Sequence, residues 1–346
     1  MRLHPDRVAS IVSLLAALAL PAAHAAPQLQ AGAGTVGGMG TGDINAGCTT
    51  YGAPASVQAY FGSGYGIALP IGGIAACSYA GGWTEQVMPG GAATANGAVG
   101  PVILGNPGFA GYYTGSADAS AQFTALRAGA RGYYTAGLPG SQTALSDASA
   151  AAWFTDTLSL SSPQVVPASA GYVGYRFQFS GSLAATGTPA PYFFGEALAL
   201  LAFQHDGGPV YFAAQAYARR GEMGTATAAA GPLPGWTGGV GTVSGGGTVD
   251  TLDFLLPFPV VFGQPWELTL GLAARAYGES AAEFMSTARF VGLDVFDAQG
   301  HRITDFTLTS GSGTDYLAAV PEPASMLLML GGLGLVGGVV RRRASL

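Results

Sequence analysis

Lysine is absent from this chain of 346 residues, and charged residues of all kinds make up only 9% of it. Without lysine the chain has no amine for Schiff-base chemistry or for lysine as a general base. Residues 26–319 contain eight Arg and seventeen Asp or Glu, which gives 8 − 17 = −9 before His is counted. Nucleic-acid binding depends on cationic contacts to phosphates, so this acidic region is not expected to bind DNA or RNA.

Histidine is almost as scarce, and only His205 and His301 lie beyond residue 25. Both occur in turn-like segments beside an Asp or Arg, which predicts solvated turn residues. The sequence has no H-E-x-x-H motif, no G-x-S-x-G motif and no Cys-His pairing. We therefore predict no metal site, no cofactor and no enzymatic activity.

Glycine and proline are abundant instead, with 56 Gly and 21 Pro. They interrupt the sequence every few positions, which disfavours long helices and favours short strands joined by turns. A region of about 290 residues is long enough to bury a full core. The composition predicts an all-β fold.

Residues 1–25 have the pattern of a secretory signal peptide. Arg2 and Arg7 precede an apolar run at residues 8–20, and a small-residue site ends at Ala25. The apolar run is too short to span a membrane. We expect a signal helix that directs export through the Sec translocon and is removed, leaving Ala26 as the first residue.

Residues 320–346 form a tail with three physical parts. Pro321, Glu322 and Pro323 come first, and the two prolines hold this stretch extended and accessible to a protease. Residues 324–340 carry no charge and, as a helix, span about 25 Å, slightly less than a hydrocarbon core of about 30 Å. A cationic cluster follows that would hold this end on the cytoplasmic face: Arg341, Arg342 and Arg343.

This tail resembles the PEP-CTERM sorting signal. The resemblance implies an exported protein of a gram-negative bacterium that makes extracellular polysaccharide. It also implies a membrane-anchored intermediate, processed by an exosortase near Pro321, Glu322 and Pro323 and delivered to the cell surface or the extracellular matrix. An ordinary single-pass anchor with an incidental Pro-Glu-Pro is the alternative.

The only two cysteines, Cys48 and Cys77, lie in the Gly-rich segment 26–115. An exported protein meets an oxidising compartment, so we predict that they form a disulfide. Closing a loop of about thirty residues would stabilise the fold by about 3 to 4 kcal/mol in the chain-entropy model. Two free thiols are the alternative. The G-x-G-x-x-G pattern at residues 32–37 has neither a preceding apolar strand nor a following helix and is interpreted as flexible chain.

Residues 116–319 change to alternating large and small side chains, which predicts half-buried strands. Phe154, Leu158 and Leu160 share one face of a strand. We predict an antiparallel, jelly-roll-like β-sandwich of about eight to ten strands between residues 116 and 316. The expected strands are residues 117–124, 126–134, 151–160, 172–182, 192–204, 210–217, 251–261, 266–277, 285–296 and 303–308, with hairpin turns at 205–209 and 297–300 and a loop at 221–247.

Several of these segments also resemble the passenger domain of many PEP-CTERM proteins. The similarity is one of pattern and implies a β-sandwich rather than an activity. The segments are residues 151–158, 258–268, 286–288, 295–305 and 310–316.

Three groups of residues were considered as chemical or binding sites. Asp294, Asp297 and Asp305 lack the spacing of a calcium loop, and a hairpin turn explains them better. Paired carboxylates such as Asp250 with Asp253, or Glu279 with Glu283, would suit a glycosidase if the fold brought them together. Seven aromatic side chains would suit a sugar-stacking platform, although aromatics on alternating strands more often belong to the core. They are Tyr172, Tyr175, Tyr192, Phe193, Tyr211, Trp236 and Trp266, of which Trp236 is expected to be exposed.

The sequence therefore favours an exported structural or matrix-associated protein, anchored at the surface through its tail. A non-catalytic carbohydrate-binding sandwich is the second hypothesis, with extracellular polysaccharide as its partner. A secreted glycoside hydrolase is the third.

Overall fold

A computed structural model describes residues 25–41, 77–103, 112–135, 142–185, 196–208, 210–219, 222–227, 248–277 and 279–317. These residues form strands and turns, with no helix among them, and hence none long and apolar enough to cross a membrane. The predicted signal helix and transmembrane helix lie outside the described residues. The strands are β1 (Gln28–Thr41), β2 (Cys77–Met88), β3 (Ala93–Ile103), β4 (Tyr112–Gln122), β5 (Ala125–Thr135), β6 (Gln142–Ser161), β7 (Ala170–Ala185), β8 (Glu196–His205), β9 (Val210–Arg219), β10 (Glu222–Thr227), β11 (Thr248–Val261), β12 (Pro265–Tyr277), β13 (Ser280–Asp297), β14 (Arg302–Ile303) and β15 (Thr307–Ser310).

The strands form two sheets. Sheet 1 has the order β10-β9-β8-β12-β6-β1-β2, and β15 also pairs with β6. Sheet 2 has the order β11-β7-β13-β5-β4-β3, and β14 also pairs with β13. Every pairing in both sheets is antiparallel. The predicted antiparallel all-β fold is confirmed for the described residues, and the jelly-roll-like connectivity stays a prediction.

The two sheets pack face to face over one apolar core. Alternation along β6 and β7 buries the bulky side chains that the sequence placed on one face, including Phe154 and Phe177. Phe177 of sheet 2 meets Phe203 of sheet 1, with ring centroids 6.5 Å apart. Full burial of each such side chain stabilises the fold by about 1.5 to 3 kcal/mol. This inward face continues through most strands of both sheets.

The Gly-rich segment before residue 116 contributes three strands that the sequence did not predict. β1 lies between β6 and β2 in sheet 1, where Ala31 and Ala33 are fully buried. The ring of Trp83 packs directly against Gly32, which lies between them. A Cβ at Gly32 would be only 2.3 Å from that ring. The predicted division between residues 115 and 116 falls within β4, and strands from both sides of it share the two sheets.

Strand number is higher than predicted. Between β4 and β15 the described residues form twelve strands rather than eight to ten. The predicted loop at 221–247 contains β10, which extends the β8–β9 hairpin. The single strand predicted at 303–308 is split, because β14 pairs with β13 in sheet 2 whereas β15 pairs with β6 in sheet 1. The chain therefore crosses from one sheet to the other between Ile303 and Thr307.

Both predicted hairpin turns are confirmed. β8 and β9 pair on either side of residues 206–209. β13 and β14 pair on either side of residues 298–301, where Gly300 adopts a φ of 84°. This left-handed conformation favours glycine.

Candidate functional site

The most completely satisfied buried carboxylate in the described residues is Asp156 on β6. It shares the strand parity of Phe154 and Leu158, so alternation directs it into the core, where it is 0% exposed. A carboxylate in such a place is costly unless hydrogen bonds compensate it. Asp156 was not predicted as a site residue. An acid on the same strand parity as Phe154 and Leu158 is nevertheless a pattern that indicates a buried carboxylate.

Four hydrogen bonds reach the Asp156 carboxylate. Oδ1 accepts from the backbone N–H of Thr157 at 2.8 Å and of Ser312 at 3.0 Å. Oδ2 accepts from the Ser312 hydroxyl at 2.6 Å and the Tyr316 hydroxyl at 2.8 Å. Hydrogen bonds to a charged acceptor are roughly twice as strong as neutral ones. Three of the four come from the segment after β15.

That segment, residues 311–317, is called the connector here. Its Gly311 N–H donates to the Thr157 carbonyl at 2.7 Å, and Gly313 adopts a φ of 74°, which turns the chain back toward β6. The Tyr316 ring then enters the core, with centroid distances of 6.2 Å to Phe154 and 5.0 Å to Phe290. The connector is thereby fixed to both sheets.

Burial, together with the adjacent charge of Asp156, raises the pKa of Tyr316. The phenol therefore remains protonated and keeps donating to Asp156. The Ser312 N–H and the Tyr316 hydroxyl donate to the carboxylate, the Ser312 hydroxyl lies within hydrogen-bond distance of both Asp156 and Thr314, and the cluster contains no histidine or thiol to activate a nucleophile. This arrangement suits a structural latch rather than a reaction.

A second buried polar cluster corrects the prediction for His205. This side chain is half-buried rather than solvated, and it stacks on Phe258 with a centroid distance of 4.9 Å. Its Nδ1 lies 3.1 Å from the Tyr175 hydroxyl, which accepts a hydrogen bond of 2.6 Å from the indole of Trp266. Its Nε2 lies 3.2 Å from the Pro259 carbonyl. Burial lowers the pKa of His205 and raises that of Tyr175.

The prediction for His301 agrees with its surroundings. Its side chain is 80% exposed, and Nδ1 lies 3.0 Å from the Asp297 carboxylate. Asp297 Oδ1 also accepts the backbone N–H groups of Gln299 and His301, which closes the hairpin turn. Among the described residues no group of His, Cys, Asp and Glu side chains has the arrangement of a metal site.

Asp294 is also buried, but cations compensate it. Arg176 donates to its Oδ2 through Nε at 2.8 Å and also through Nη2, and Arg302 donates to its Oδ1 at 2.6 Å. Asp294 and Asp297 thus have separate partners, and Asp305 is exposed on another part of the chain. The three acids considered together in the sequence do not share one site.

The candidate glycosidase pairs are not brought together as a catalytic pair by any observed contact. Glu283 forms an ion pair with the exposed Arg131 of β5, the neighbouring strand. Glu279 lies just before β13. The side chains of Asp250 and Asp253 lie outside the described residues.

The proposed aromatic platform is wrong for two of its members. Tyr175 and Trp266 are buried in the core, at 0% and 3% exposure, because their strand positions face inward. Tyr172 is half-buried. Tyr192, Phe193, Trp236 and the side chain of Tyr211 lie outside the described residues. Of the described large apolar side chains that are exposed, Tyr133 is the aromatic one.

The remaining predicted site residues lie where the structure gives no side-chain description. Cys48, the Pro321 to Pro323 stretch and the Arg341 to Arg343 cluster are outside the described residues. Cys77 opens β2, but its side chain is likewise not described. The disulfide therefore stays a prediction.

Comparison with known proteins locates one match. No curated protein and no solved structure matches the chain. Residues 319–344 match the family model of the PEP-CTERM protein-sorting motif. The motif begins 319 − 316 = 3 residues after the latched Tyr316. It implies an exosortase-targeted signal on an exported protein that passes a membrane. The chain thus carries a PEP-CTERM protein-sorting motif at residues 319–344.

Proposed function

We propose that this protein is a structural component of the cell surface or extracellular matrix of a gram-negative bacterium. In this proposal the Sec translocon exports it, the tail holds it in the inner membrane, and an exosortase processes it near Pro321, Glu322 and Pro323. The match at residues 319–344 is the observation that carries the proposal.

The physical character of the tail supports a transient anchor. The apolar run is short and contains five glycines, and each Gly costs a helix about 1 kcal/mol relative to Ala. The two prolines hold the backbone around Glu322 extended, which suits recognition by an enzyme. The three terminal arginines would fix the register of the run in the membrane.

The proposal assigns no catalysis to the folded part. Its two well-described buried acids, Asp156 and Asp294, are each fully engaged by partners within the fold. A buried acid held in this way stabilises the structure and is a poor general acid or base. A folded domain whose buried acids serve stability is consistent with a structural role in the matrix.

The test is the intact mass of the protein isolated from its native host. We expect the mature C-terminus to lie at or near Pro321, Glu322 and Pro323. Glu322→Ala should leave full-length protein in the inner membrane by spoiling recognition. Substitution of Arg341, Arg342 and Arg343 by Ser should do the same by weakening the stop that positions the site.

Glu85→Ala is the matched control, since it removes an exposed carboxylate from β2 and leaves the tail unchanged. It should be processed like the parent. Native protein that still ends at Leu346 would refute processing and reduce the tail to a plain anchor.

A further inference from the structure

Most arginines of residues 26–319 lie on one surface. Five of the eight belong to the outer face of sheet 2, although this region has nine more acids than bases. Each of the five is adjacent in sequence to a buried core residue, so strand alternation turns it outward. They are Arg127 and Arg131 on β5, Arg176 on β7, Arg289 on β13 and Arg302 on β14.

Three of these cations form a diagonal row across neighbouring strands of the sheet, and Arg302 lies farther along, near the end of β13. Arg289 lies opposite Ala125 of β5 and Gln178 of β7, one diagonal step from Arg127 and from Arg176 respectively. Arg302 flanks β13 on the side opposite to β7. The row of Arg127, Arg289 and Arg176 therefore spans two strand spacings, about 10 Å, and Arg302 is paired with Phe296, 296 − 289 = 7 residues or about 23 Å along β13 from Arg289.

Nearby acids do not fully neutralise the positive charge of these arginines. Arg176 and Arg302 share the single carboxylate of Asp294 and remain 52% and 63% exposed. Arg127 and Arg289 form no ion pair with any described side chain. The described side chains of this face include five arginines and three acids (Asp118, Glu283 and Asp294), which gives 5 − 3 = +2, and the strand register places Asp253 of β11 opposite Gln178 on the same face. Asp118 and Glu283 act on Arg131 at the end of the face instead.

The contacts of Asp294 indicate which kind of anion these arginines can bind. Arg176 binds one oxygen of its carboxylate through two N–H groups while Arg302 binds the other oxygen. A guanidinium has five N–H donors, so both arginines retain donors directed to solvent. Planar, delocalised guanidinium groups match carboxylates, and several in a row match a polymer that repeats them.

We propose that the outer face of sheet 2 binds an acidic polysaccharide through Arg127, Arg176, Arg289 and Arg302. The inference rests on the proposed exported role, which places the face among extracellular polymers. Nucleic acid is the less suitable polyanion, because its dense phosphates would also meet the negative charge of the rest of the protein. Binding would need no aromatic platform, which agrees with the burial of Tyr175 and Trp266.

The experiment measures binding of the full chain, purified in a non-ionic detergent, to polygalacturonate by biolayer interferometry. Neutral dextran and double-stranded DNA serve as comparison polymers. We expect binding to polygalacturonate, none to dextran, weaker binding to DNA and a loss of affinity as salt rises.

Arg127→Gln with Arg289→Gln is the informative variant, because it removes two cations and leaves Asp294 compensated. Its affinity for polygalacturonate should fall about tenfold. Arg219→Gln with Arg275→Gln removes the same charge from β9 and β12 of sheet 1 and should change affinity less than about twofold. Equal thermal unfolding midpoints would show that both variants fold.

Equal losses in the two double variants, equal binding to dextran, or tighter binding to DNA would each overturn the proposal. The outcome is independent of sorting. A chain that is not processed in its host can still bind polygalacturonate, and a processed chain can fail to bind it.

Discussion

Tyr316 donates a 2.8 Å hydrogen bond to the buried carboxylate of Asp156, a residue 160 positions earlier in the chain. The bond ties the connector to β6, an interior strand of sheet 1. Because three connector groups converge on this carboxylate, its removal should loosen the whole segment.

The first prediction concerns that carboxylate. Asp156→Asn replaces an acceptor oxygen with an NH₂ group that faces donors, which should lower the free energy of unfolding by about 2 to 3 kcal/mol. Asp305→Asn, at an exposed carboxylate, is the control and should change it by less than about 0.5 kcal/mol. Urea denaturation measures both. Equal urea midpoints for the two variants would contradict a stabilising role of the Asp156 carboxylate.

A second prediction follows from the raised pKa values of Tyr175 and Tyr316. Their pKa in the unfolded chain is about 10, so the unfolded state ionises first. Stability should therefore be complete below about pH 10 and fall above it, by up to about 1.4 kcal/mol per pH unit for each tyrosine. Denaturation midpoints between pH 8 and 12 test this, and Tyr316→Phe should show the shallower fall. If the stability of Tyr316→Phe fell with pH as steeply as that of the parent, the prediction would be wrong.

Acid should also destabilise the fold, through His205. Burial lowers its pKa in the folded state, so protonation favours the unfolded chain. Its contribution should be complete above about pH 6.5 and be lost as the pH falls below that value. Urea midpoints between pH 5 and 8 measure the effect. His205→Gln should flatten the profile, whereas His301→Gln, at the exposed turn, should leave it steep.

Tight packing predicts the effect of one added methyl group. A Cβ at Gly181 would lie 2.5 Å from the ring of Phe284 and 2.6 Å from the Glu283 carbonyl, and the backbone oxygen cannot rotate away. Gly181→Ala should lower the free energy of unfolding by about 1 to 3 kcal/mol. Gly90→Ala has no atom within 4 Å of its new Cβ and should be close to neutral. Thermal unfolding of the pair tests the assignment.

The fifth prediction is the disulfide between Cys48 and Cys77. Export to an oxidising compartment favours the bridge, since the chain has no other cysteine. Non-reducing peptide mapping of freshly secreted protein should recover the linked peptides. Recovery of both thiols in the free state would contradict it.

Alternation of large side chains was sufficient to predict the second half of β6 and most of β7, because Phe154 and Phe177 mark the buried face, but the first half of β6 was not predicted. It failed for β1, where the buried positions are Ala31 and Ala33, and small side chains make no contrast with the glycines between them. The sheet accepts them there because Trp83 fills the space above Gly32. That contact joins residues distant in sequence, so no local pattern reports it.

The polar clusters illustrate the same limit. His205 stands in a turn-like run of residues, but the turn follows it, and Phe258 of another strand covers its ring. Asp156 obtains three of its four hydrogen bonds from a segment more than 150 residues away. The polarity of its side chain predicted a solvated His205, whereas contacts with residues of other strands leave it half-buried.

The latch sets a short tether for the sorting reaction. Glu322 follows Tyr316 by 322 − 316 = 6 positions, and even a fully extended chain of that length reaches only about 20 Å. In the proposed processing, the folded residues would therefore stand close to the membrane while the tail is cut, with no long stalk between the two. An enzyme that acts there has to accommodate the bulk of a folded substrate at its entrance.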